Sequence, residues 1–201
     1  MDLVLKAQTA GVSTAVLDTR ALLIKGVSSG STELKVCSVC HSLTVVSSQL
    51  VQYVLEKEHE AFGSALRIDL GKSLAADESI TVRVSYETTP ASSAIQWLNP
   101  SQTAGKVHPY MFTQCQAIHC RSLIPCQVGS SFVYVCVFTL HASVQDTPSV
   151  KAPYTATIRA PAPLVALMSA LSTGSTADGA HTVYTFEQTV PVPVRPFGRA
   201  A

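Results

Sequence analysis

The stretch Ile80-Thr81-Val82-Arg83-Val84-Ser85-Tyr86-Glu87 alternates apolar and polar residues without a break. Successive side chains of a strand point to opposite faces of a sheet, so this period of two gives one apolar and one polar face. Leu66, Ile68 and Leu70 alternate with polar residues in the same manner. Both segments therefore predict strands that are buried on one face.

Other segments predict that most of the chain is made of short strands. The further candidates are 3–8, 21–25, 50–55, 132–140, 154–159 and 182–188. Turn-forming clusters separate them at 28–31, 71–73, 99–101 and 172–175. Many short strands with turns between them indicate an all-β, mostly antiparallel fold, either a sandwich or a curved sheet.

The helical signal is weak. Residues 164–171 follow Pro163 and could form two helical turns, although a strand fits them equally well. The end of the chain, 190–201, carries three prolines and is expected to be an irregular tail. The prediction is one β domain over 1–189 followed by that tail.

Composition narrows the class of protein. Hydrophobic residues make up 47%, charged residues make up 13%, and the formal net charge is +1. This predicts a folded core, and it offers no basic patch for nucleic acid and no apolar run of about 20 residues for a membrane span. Because the N-terminus does not look like a secretory leader, we expect a cytoplasmic protein whose six cysteines are free thiols.

The segment Cys37-Ser38-Val39-Cys40-His41 has the C-x-x-C-H pattern of haem attachment. A haem would need export and a second axial ligand. A structural zinc would need four ligands, and the spacing of Cys115, His119 and Cys120 supplies no recognised second half. A chance match within a strand is favoured, so the sequence predicts no metal ligand and no cofactor in this chain.

The segment His59-Glu60-Ala61-Phe62-Gly63 begins like the zinc peptidase motif H-E-x-x-H. That motif places two histidines on one face of a helix, with the glutamate as general base. Gly63 replaces the second histidine and weakens the helix, so a solvated charged turn over 56–60 is favoured. Nucleophile elbows and phosphate-binding loops are absent from the sequence as well. The residues alone therefore predict no catalytic residue.

Two blocks of the sequence resemble a known enzyme family. The first begins with Ser92-Ser93-Ala94-Ile95-Gln96-Trp97-Leu98-Asn99-Pro100 and continues through Gln102-Thr103-Ala104-Gly105-Lys106. It ends with His108-Pro109-Tyr110-Met111-Phe112-Thr113-Gln114-Cys115-Gln116-Ala117-Ile118-His119-Cys120-Arg121. The second runs from Asp146-Thr147-Pro148-Ser149-Val150-Lys151 to Leu164-Val165-Ala166-Leu167-Met168-Ser169-Ala170. With weaker matches at 16–19 and 86–88, the chain resembles the leukotriene A4 hydrolase family of gluzincin zinc aminopeptidases, which includes aminopeptidase B.

The resemblance implies a curved, saddle-like β domain that packs against a zinc-bearing catalytic domain. Intact members of the family remove N-terminal residues from peptides or open an epoxide fatty acid in leukotriene biosynthesis. The resemblance also implies a substrate-binding loop at Gln114, Cys115, Gln116 and Ala117, where Gln116 and the backbone near Ala117 contact the peptide. A glutamine amide suits this role because it both donates and accepts hydrogen bonds. Without the resemblance, a buried connector would be the favoured interpretation.

The sequence departs from the family pattern in several places. Residues 31–48 and 128–145 look like insertions, and the second contains the apolar stretch 132–140, which as an edge strand would expose unpaired backbone groups. The chain starts late relative to the family, and the catalytic domain with its H-E-x-x-H and G-x-M-E-N motifs is missing. We therefore expect a truncated isoform, from an alternative transcript or an imperfect gene model, that is inactive alone.

Three functions are consistent with these observations. The first is a fragment of a zinc aminopeptidase that contributes only a substrate-positioning loop beside a separate catalytic domain. The second is a non-enzymatic β-sheet module that binds a partner through an exposed sheet edge. The third, the least favoured, is a thiol or metal protein that uses Cys37, Cys40 and neighbouring residues.

Overall fold

The computed structural model describes most of the chain. The described residues are 1–29, 32–36, 52–127, 132–134, 151–193 and 199–200. Cys37, Cys40, His41, Cys136 and most of the two suspected insertions lie outside these ranges. Among the described residues, no helix is long and apolar enough to cross a membrane.

The described residues form sixteen strands, together with two short 3-10 turns at Pro100–Gln102 and Cys120–Ser122. The strands are β1 Asp2–Ala7, β2 Val12–Thr19, β3 Leu22–Ser29, β4 Thr32–Val36, β5 Gln52–Leu55, β6 Ser64–Leu74, β7 Ser79–Thr88, β8 Ile95–Leu98, β9 Tyr110–Thr113, β10 Cys126–Gln127, β11 Phe132–Tyr134, β12 Lys151–Pro161, β13 Ala166–Leu167, β14 Leu171–Asp178, β15 His181–Pro193 and β16 Arg199–Ala200. The predicted all-β fold is confirmed.

The strands assemble into three sheets. A nine-stranded sheet has the order β10-β2-β6-β5-β4-β3-β7-β1-β11. Its neighbours are antiparallel except for β4 and β5, which run parallel. A three-stranded sheet has the order β12-β15-β14, and a four-stranded sheet has the order β13-β16-β9-β8.

The alternation of apolar and polar residues at 66–70 and 80–87 explains the core of the large sheet. Leu66, Ile68 and Leu70 are buried on β6 while Arg67 and Asp69 between them are exposed, as a period of two requires. The same pattern buries two valines of β7. The buried members of this large-sheet core are Leu3, Leu5, Ala7, Ala15, Leu17, Val27, Tyr53, Leu66, Ile68, Leu70, Leu74, Val82 and Val84.

Two predicted turns are strands in the structure. Residues 71–73 lie within β6, where Gly71 adopts a φ of +68° and the pairing of β2 with β6 shifts register. Residues 172–175 lie within β14, whose pairing with β15 shifts register beside Gly174. In both places the glycine lies at an irregularity of strand pairing, and the strand continues through it rather than ending there.

In the C-terminal part of the chain, the structure decides one open alternative and differs from expectation at one place. Residues 164–171 form no helix, because β13 occupies Ala166–Leu167 and β14 begins at Leu171. The irregular tail expected over 190–201 is wrong for the first four of its residues, since β15 continues to Pro193 and pairs there with β12. At that end β15 pairs with β12 alone, since its ladder with β14 ends at Glu187. A further pair of residues, Arg199–Ala200, lies between β9 and β13.

Candidate functional site

The four residues predicted to bind substrate form a connection between β9 and the 3-10 turn at Cys120–Ser122. Gln114 is half-buried, Cys115 is buried, and Gln116 and Ala117 are exposed. The peptide bond that joins Gln116 to Ala117 is cis. The loop thus presents a glutamine amide and a backbone edge to solvent, while its cysteine faces the interior.

Backbone hydrogen bonds fix both ends of the loop. The Gln114 N–H donates to the Ala94 carbonyl oxygen, with 2.8 Å between N and O. The His119 N–H donates to the Cys115 carbonyl oxygen at 2.9 Å, which closes residues 115–119 into a single turn. The loop is therefore short, closed and attached to the segment that leads into β8.

Hydrogen bonds of three serines and a histidine stabilise this attachment. The Ser122 hydroxyl oxygen accepts a hydrogen bond from the Ala94 N–H at 3.0 Å and donates to the His119 carbonyl oxygen at 2.8 Å. The Ser92 hydroxyl donates to the Ser122 carbonyl oxygen at 2.6 Å. At the surface, Ser93 Oγ lies 2.7 Å from His119 Nδ1. Ser92 and Ser122 are buried, so their polar atoms need these partners.

Arg121 joins the same region to the large sheet. Its guanidinium forms an ion pair with the Asp18 carboxylate of β2 at 2.8 Å and donates to the Phe62 carbonyl oxygen at 3.0 Å. Its own carbonyl oxygen accepts from the Arg20 N–H at 2.8 Å. Arg121 is buried, so the charge is neutralised by a partner and held by directional bonds, as a buried cation requires.

A second core lies beneath the loop. Its buried members are Ala94, Cys115, Cys120, Ile124, Cys126, Tyr154, Ala156, Ala166 and Phe186. The three described cysteines, Cys115, Cys120 and Cys126, are all buried in this core. Burial raises the pKa of Tyr86, which packs against this core. This second core is therefore a low-polarity support for the exposed Gln116 and Ala117.

An open groove of about 930 Å³ begins beside the loop, at Thr113 and Ile124. Its lining includes Met1, Met111 and Met168, which are the three methionines of the chain. Methionine side chains are flexible and polarisable, so such a lining adapts to apolar surfaces of different shape. The groove gives the loop an apolar neighbour.

The partial zinc-peptidase motif is an exposed turn, as predicted. His59 pairs with Gly63 across the turn, and its Nδ1 accepts hydrogen bonds from the N–H groups of Ala61 and Phe62 at 3.1 and 3.4 Å. Within the described ranges, no group of three or more His, Cys, Asp or Glu side chains is arranged to hold a metal ion. The C-x-x-C-H segment lies outside these ranges.

The residues that support the loop were not singled out by the sequence as a network. Ser92, Ser93, Ser122 and Arg121 fall inside the first resembling block, but serines and arginines at these spacings have no distinctive pattern. His119 was considered only as a zinc ligand, whereas the structure pairs it with Ser93. Their role depends on how β8, β9 and the 3-10 turn meet in space.

Comparison with known proteins identifies similar sequences. Residues 3–127 match the Peptidase M1 N-terminal domain family. The chain is 38% identical to leukotriene A-4 hydrolase of Xenopus laevis over 185 residues, which covers 90% of this chain and 25% of that protein. It is 39% identical to leucine aminopeptidase 2 of Aspergillus terreus over 142 residues, which covers 70% of this chain and 20% of that protein.

Solved structures show the same fold. The structure of native leukotriene A4 hydrolase from Saccharomyces cerevisiae matches with a TM-score of 0.64 and 30% identity, and the match covers 94% of this chain and 23% of that chain. An M1 zinc metallopeptidase from Deinococcus radiodurans matches with a TM-score of 0.62 at 18% identity, covering 99% of this chain and 40% of that one. The chain thus spans about a quarter of the leukotriene A4 hydrolases that it matches.

Proposed function

Because the chain belongs to the Peptidase M1 N-terminal domain family, we propose that it is a substrate-positioning β domain that works beside the catalytic domain of a zinc aminopeptidase. The chain supplies the loop 114–117, and the catalytic domain supplies the zinc and the hydrolytic chemistry. Solved members of the family that resemble this chain are zinc metallopeptidases.

The observation that carries the proposal is the contrast between the exposed loop and its fixed base. Gln116 and Ala117 are exposed, whereas Cys115, Cys120 and Ser122 around them are buried. A glutamine amide that is held on a rigid support can orient the polar end of a peptide with little loss of conformational freedom on binding. Together with the adjacent groove, the loop offers one polar contact and one apolar contact to a peptide.

We also propose that the chain has no hydrolytic activity of its own and that it acts in the cytoplasm. The sequence contains no H-E-x-x-H motif, and the described residues contain no cluster of metal ligands. Cys126 is buried, and its thiol donates a hydrogen bond to the Ile124 carbonyl oxygen at 3.2 Å, as a reduced cysteine can, which is consistent with a reducing compartment.

A second candidate function is a protein-interaction module that pairs through the edge of a sheet. All eight residues of β14 are exposed, and this strand is at the edge of the three-stranded sheet. An exposed edge strand can bind an extended segment of a partner through backbone hydrogen bonds. This function would depend on β14 and would be insensitive to changes at Gln116.

The proposal is tested in a chimera in which the full 201-residue chain replaces the matching quarter of Xenopus laevis leukotriene A-4 hydrolase. We expect Gln116→Ala to raise KM for peptide hydrolysis about tenfold, because a hydrogen bond to the charged end of a peptide is lost. Gln96→Ala is the matched control, since Gln96 is an exposed glutamine on neighbouring β8. Equal KM values for the two variants would contradict the proposal.

The chain alone provides the complementary measurement. We expect the purified 201-residue protein to show no peptide hydrolysis and no stoichiometric zinc. Turnover that increases in proportion to bound zinc would show that the chain holds a catalytic site of its own, and would refute the non-catalytic role.

A further inference from the structure

The loop 114–117 is tied on both sides to one short segment, 92–94. Before the loop, the Gln114 N–H donates to the Ala94 carbonyl oxygen at 2.8 Å. After the loop, His119 Nδ1 lies 2.7 Å from Ser93 Oγ. The loop therefore cannot shift relative to β8 without breaking at least one of these contacts.

The hydrogen bonds around segment 92–94 differ in burial. Ala94 and Ser122 are completely buried, and the hydrogen bond between them is part of the second core. Ser93 is exposed and His119 is half-buried, so their contact lies at the surface beside the exposed face of the loop. Buried hydrogen bonds hold the base of the loop, and the surface contact holds its far side.

Backbone hydrogen bonds of His119 connect its ring to the loop. Its N–H donates to the Cys115 carbonyl oxygen at 2.9 Å, and its carbonyl oxygen accepts from the Ser122 N–H at 2.9 Å. Because residues 115–119 form one closed turn, a ring held by Ser93 also fixes the placement of Gln116 and Ala117.

We infer that Ser93 and His119 are positioning residues, whose contact holds the loop in the arrangement that binds a peptide. The inference rests on the proposed function, and it assigns neither residue a direct contact with the peptide. Without the Ser93–His119 contact, the loop has more arrangements available, and peptide binding must select one of them at a cost in affinity.

The test uses the isotopically labelled 201-residue chain in solution, with trialanine as the peptide probe. Two quantities are followed by NMR. Hydrogen exchange of the His119 amide reports whether the turn 115–119 is held, and trialanine-dependent shifts of the Gln116 and Ala117 amides report the dissociation constant of the peptide. Neither quantity requires a catalytic domain.

Ser93→Ala is expected to accelerate His119 amide exchange and to raise the dissociation constant of trialanine, each about fivefold, as the loss of one hydrogen bond predicts. Ser93→Thr keeps the hydroxyl and should restore both values. Ser93 Oγ also lies 3.4 Å from Ser122 Oγ, so His119→Phe, which removes only the contact between Ser93 and His119, should reproduce most of the effect of Ser93→Ala. The double variant should be no worse than Ser93→Ala, because the contact that the two residues share is already lost there. Ser101→Ala, at an exposed serine of the first 3-10 turn, is the matched control.

The outcomes separate this inference from the proposed function. If trialanine shifts neither Gln116 nor Ala117 in the unaltered chain, the proposed function is wrong. If the unaltered chain binds trialanine and Ser93→Ala binds it equally well, the positioning role is wrong while the proposed function stands. A faster exchange of the His119 amide without weaker binding likewise overturns the positioning role.

Discussion

The core of the large sheet and the second core beneath loop 114–117 are built from different side chains. The large-sheet core is mostly leucine, isoleucine and valine, contributed by strands whose other face is polar. The second core contains three cysteines, three alanines and two aromatic rings, and hydrogen-bonded serines and a buried arginine lie next to it. One region is held together by apolar area, and the other depends heavily on directional contacts.

This difference implies that the large-sheet core mainly stabilises the fold, whereas the contacts near the second core mainly determine the position of the loop. Apolar burial is roughly proportional to area and tolerates many arrangements, so it stabilises the sheet without defining one loop position. Hydrogen bonds to Ser122 and the ion pair of Arg121 require particular distances and angles. We therefore expect substitutions in the two regions to have different consequences, and the following predictions test that expectation.

The largest effect is expected in the large-sheet core. Leu66 is completely buried, and Leu66→Ala should lower the free energy of unfolding by about 4 kcal/mol, because it removes buried methyl groups and leaves a cavity. Leu23→Ala is the control, since Leu23 on β3 is 51% exposed and should cost much less. Urea unfolding of the 201-residue chain measures both. Similar losses would mean that burial in this sheet does not determine stability.

The next effect concerns the buried ion pair near the loop. Arg121→Ala leaves the Asp18 carboxylate, only 18% exposed, without its cation and should cost about 3 kcal/mol. Arg159→Ala is the control, because Arg159 pairs with Asp178 on the exposed surface. Surface pairs contribute little, so that variant should unfold at nearly the original urea concentration. If the two variants are equally stable, the ion pair does not anchor this region.

A third prediction compares two glycines with positive φ. Gly63 has a φ of +78°, and a Cβ atom there would lie 2.2 Å from the Thr19 carbonyl oxygen. Gly179 has a φ of +59° with open space around it. Gly63→Ala should therefore cost about 2 kcal/mol more than Gly179→Ala, because backbone must move in addition to the conformational strain. Equal unfolding midpoints would show that the turn at 59–63 adapts freely.

Much of the large sheet could be predicted from the sequence, since alternation over 66–70 and 80–87 reports directly which side chains are buried. The prediction of turns at Gly71 and Gly174 was wrong, because an irregular part of a strand that contains glycine has the same composition as a turn. Local sequence also could not show that Arg199–Ala200 lies between β9 and β13. Such pairings are decided by contacts between segments far apart in the chain.

The loop was located through family resemblance, whereas its support required the structure. Nothing in the order of residues indicates that Ser93 contacts His119, or that Arg121 reaches Asp18 of β2. These contacts depend on the approach of three separate segments, and their residue types are common everywhere in proteins. The role of Gln116 and Ala117 in peptide binding stays a prediction until the chimera is measured.

Among the buried residues of the large-sheet core, Tyr53 differs from the others because its side chain carries a polar group. Its side chain is buried, and in the described part of the chain its hydroxyl has no hydrogen-bond partner. In the second core, by contrast, the Tyr154 hydroxyl donates to the Ser169 carbonyl oxygen at 2.8 Å. Tyr53→Phe should therefore raise the free energy of unfolding by about 1 kcal/mol, because an unsatisfied polar group is removed. Tyr154→Phe should lower it, and the opposite order in urea unfolding would contradict this contrast.

The smallest expected effect is the pH dependence that Tyr53 contributes. Burial raises the pKa of Tyr53, so its neutral form is favoured in the folded state. The resulting contribution is fully present below the ordinary tyrosine pKa of about 10 and is lost as the pH rises toward the folded-state pKa. Urea unfolding between pH 8 and pH 11, at about one-unit intervals, should therefore show a shallower alkaline loss of stability for Tyr53→Phe. Because the other buried tyrosines are present in both proteins, parallel curves would mean that the Tyr53 phenol ionises as freely in the folded state as in the unfolded chain.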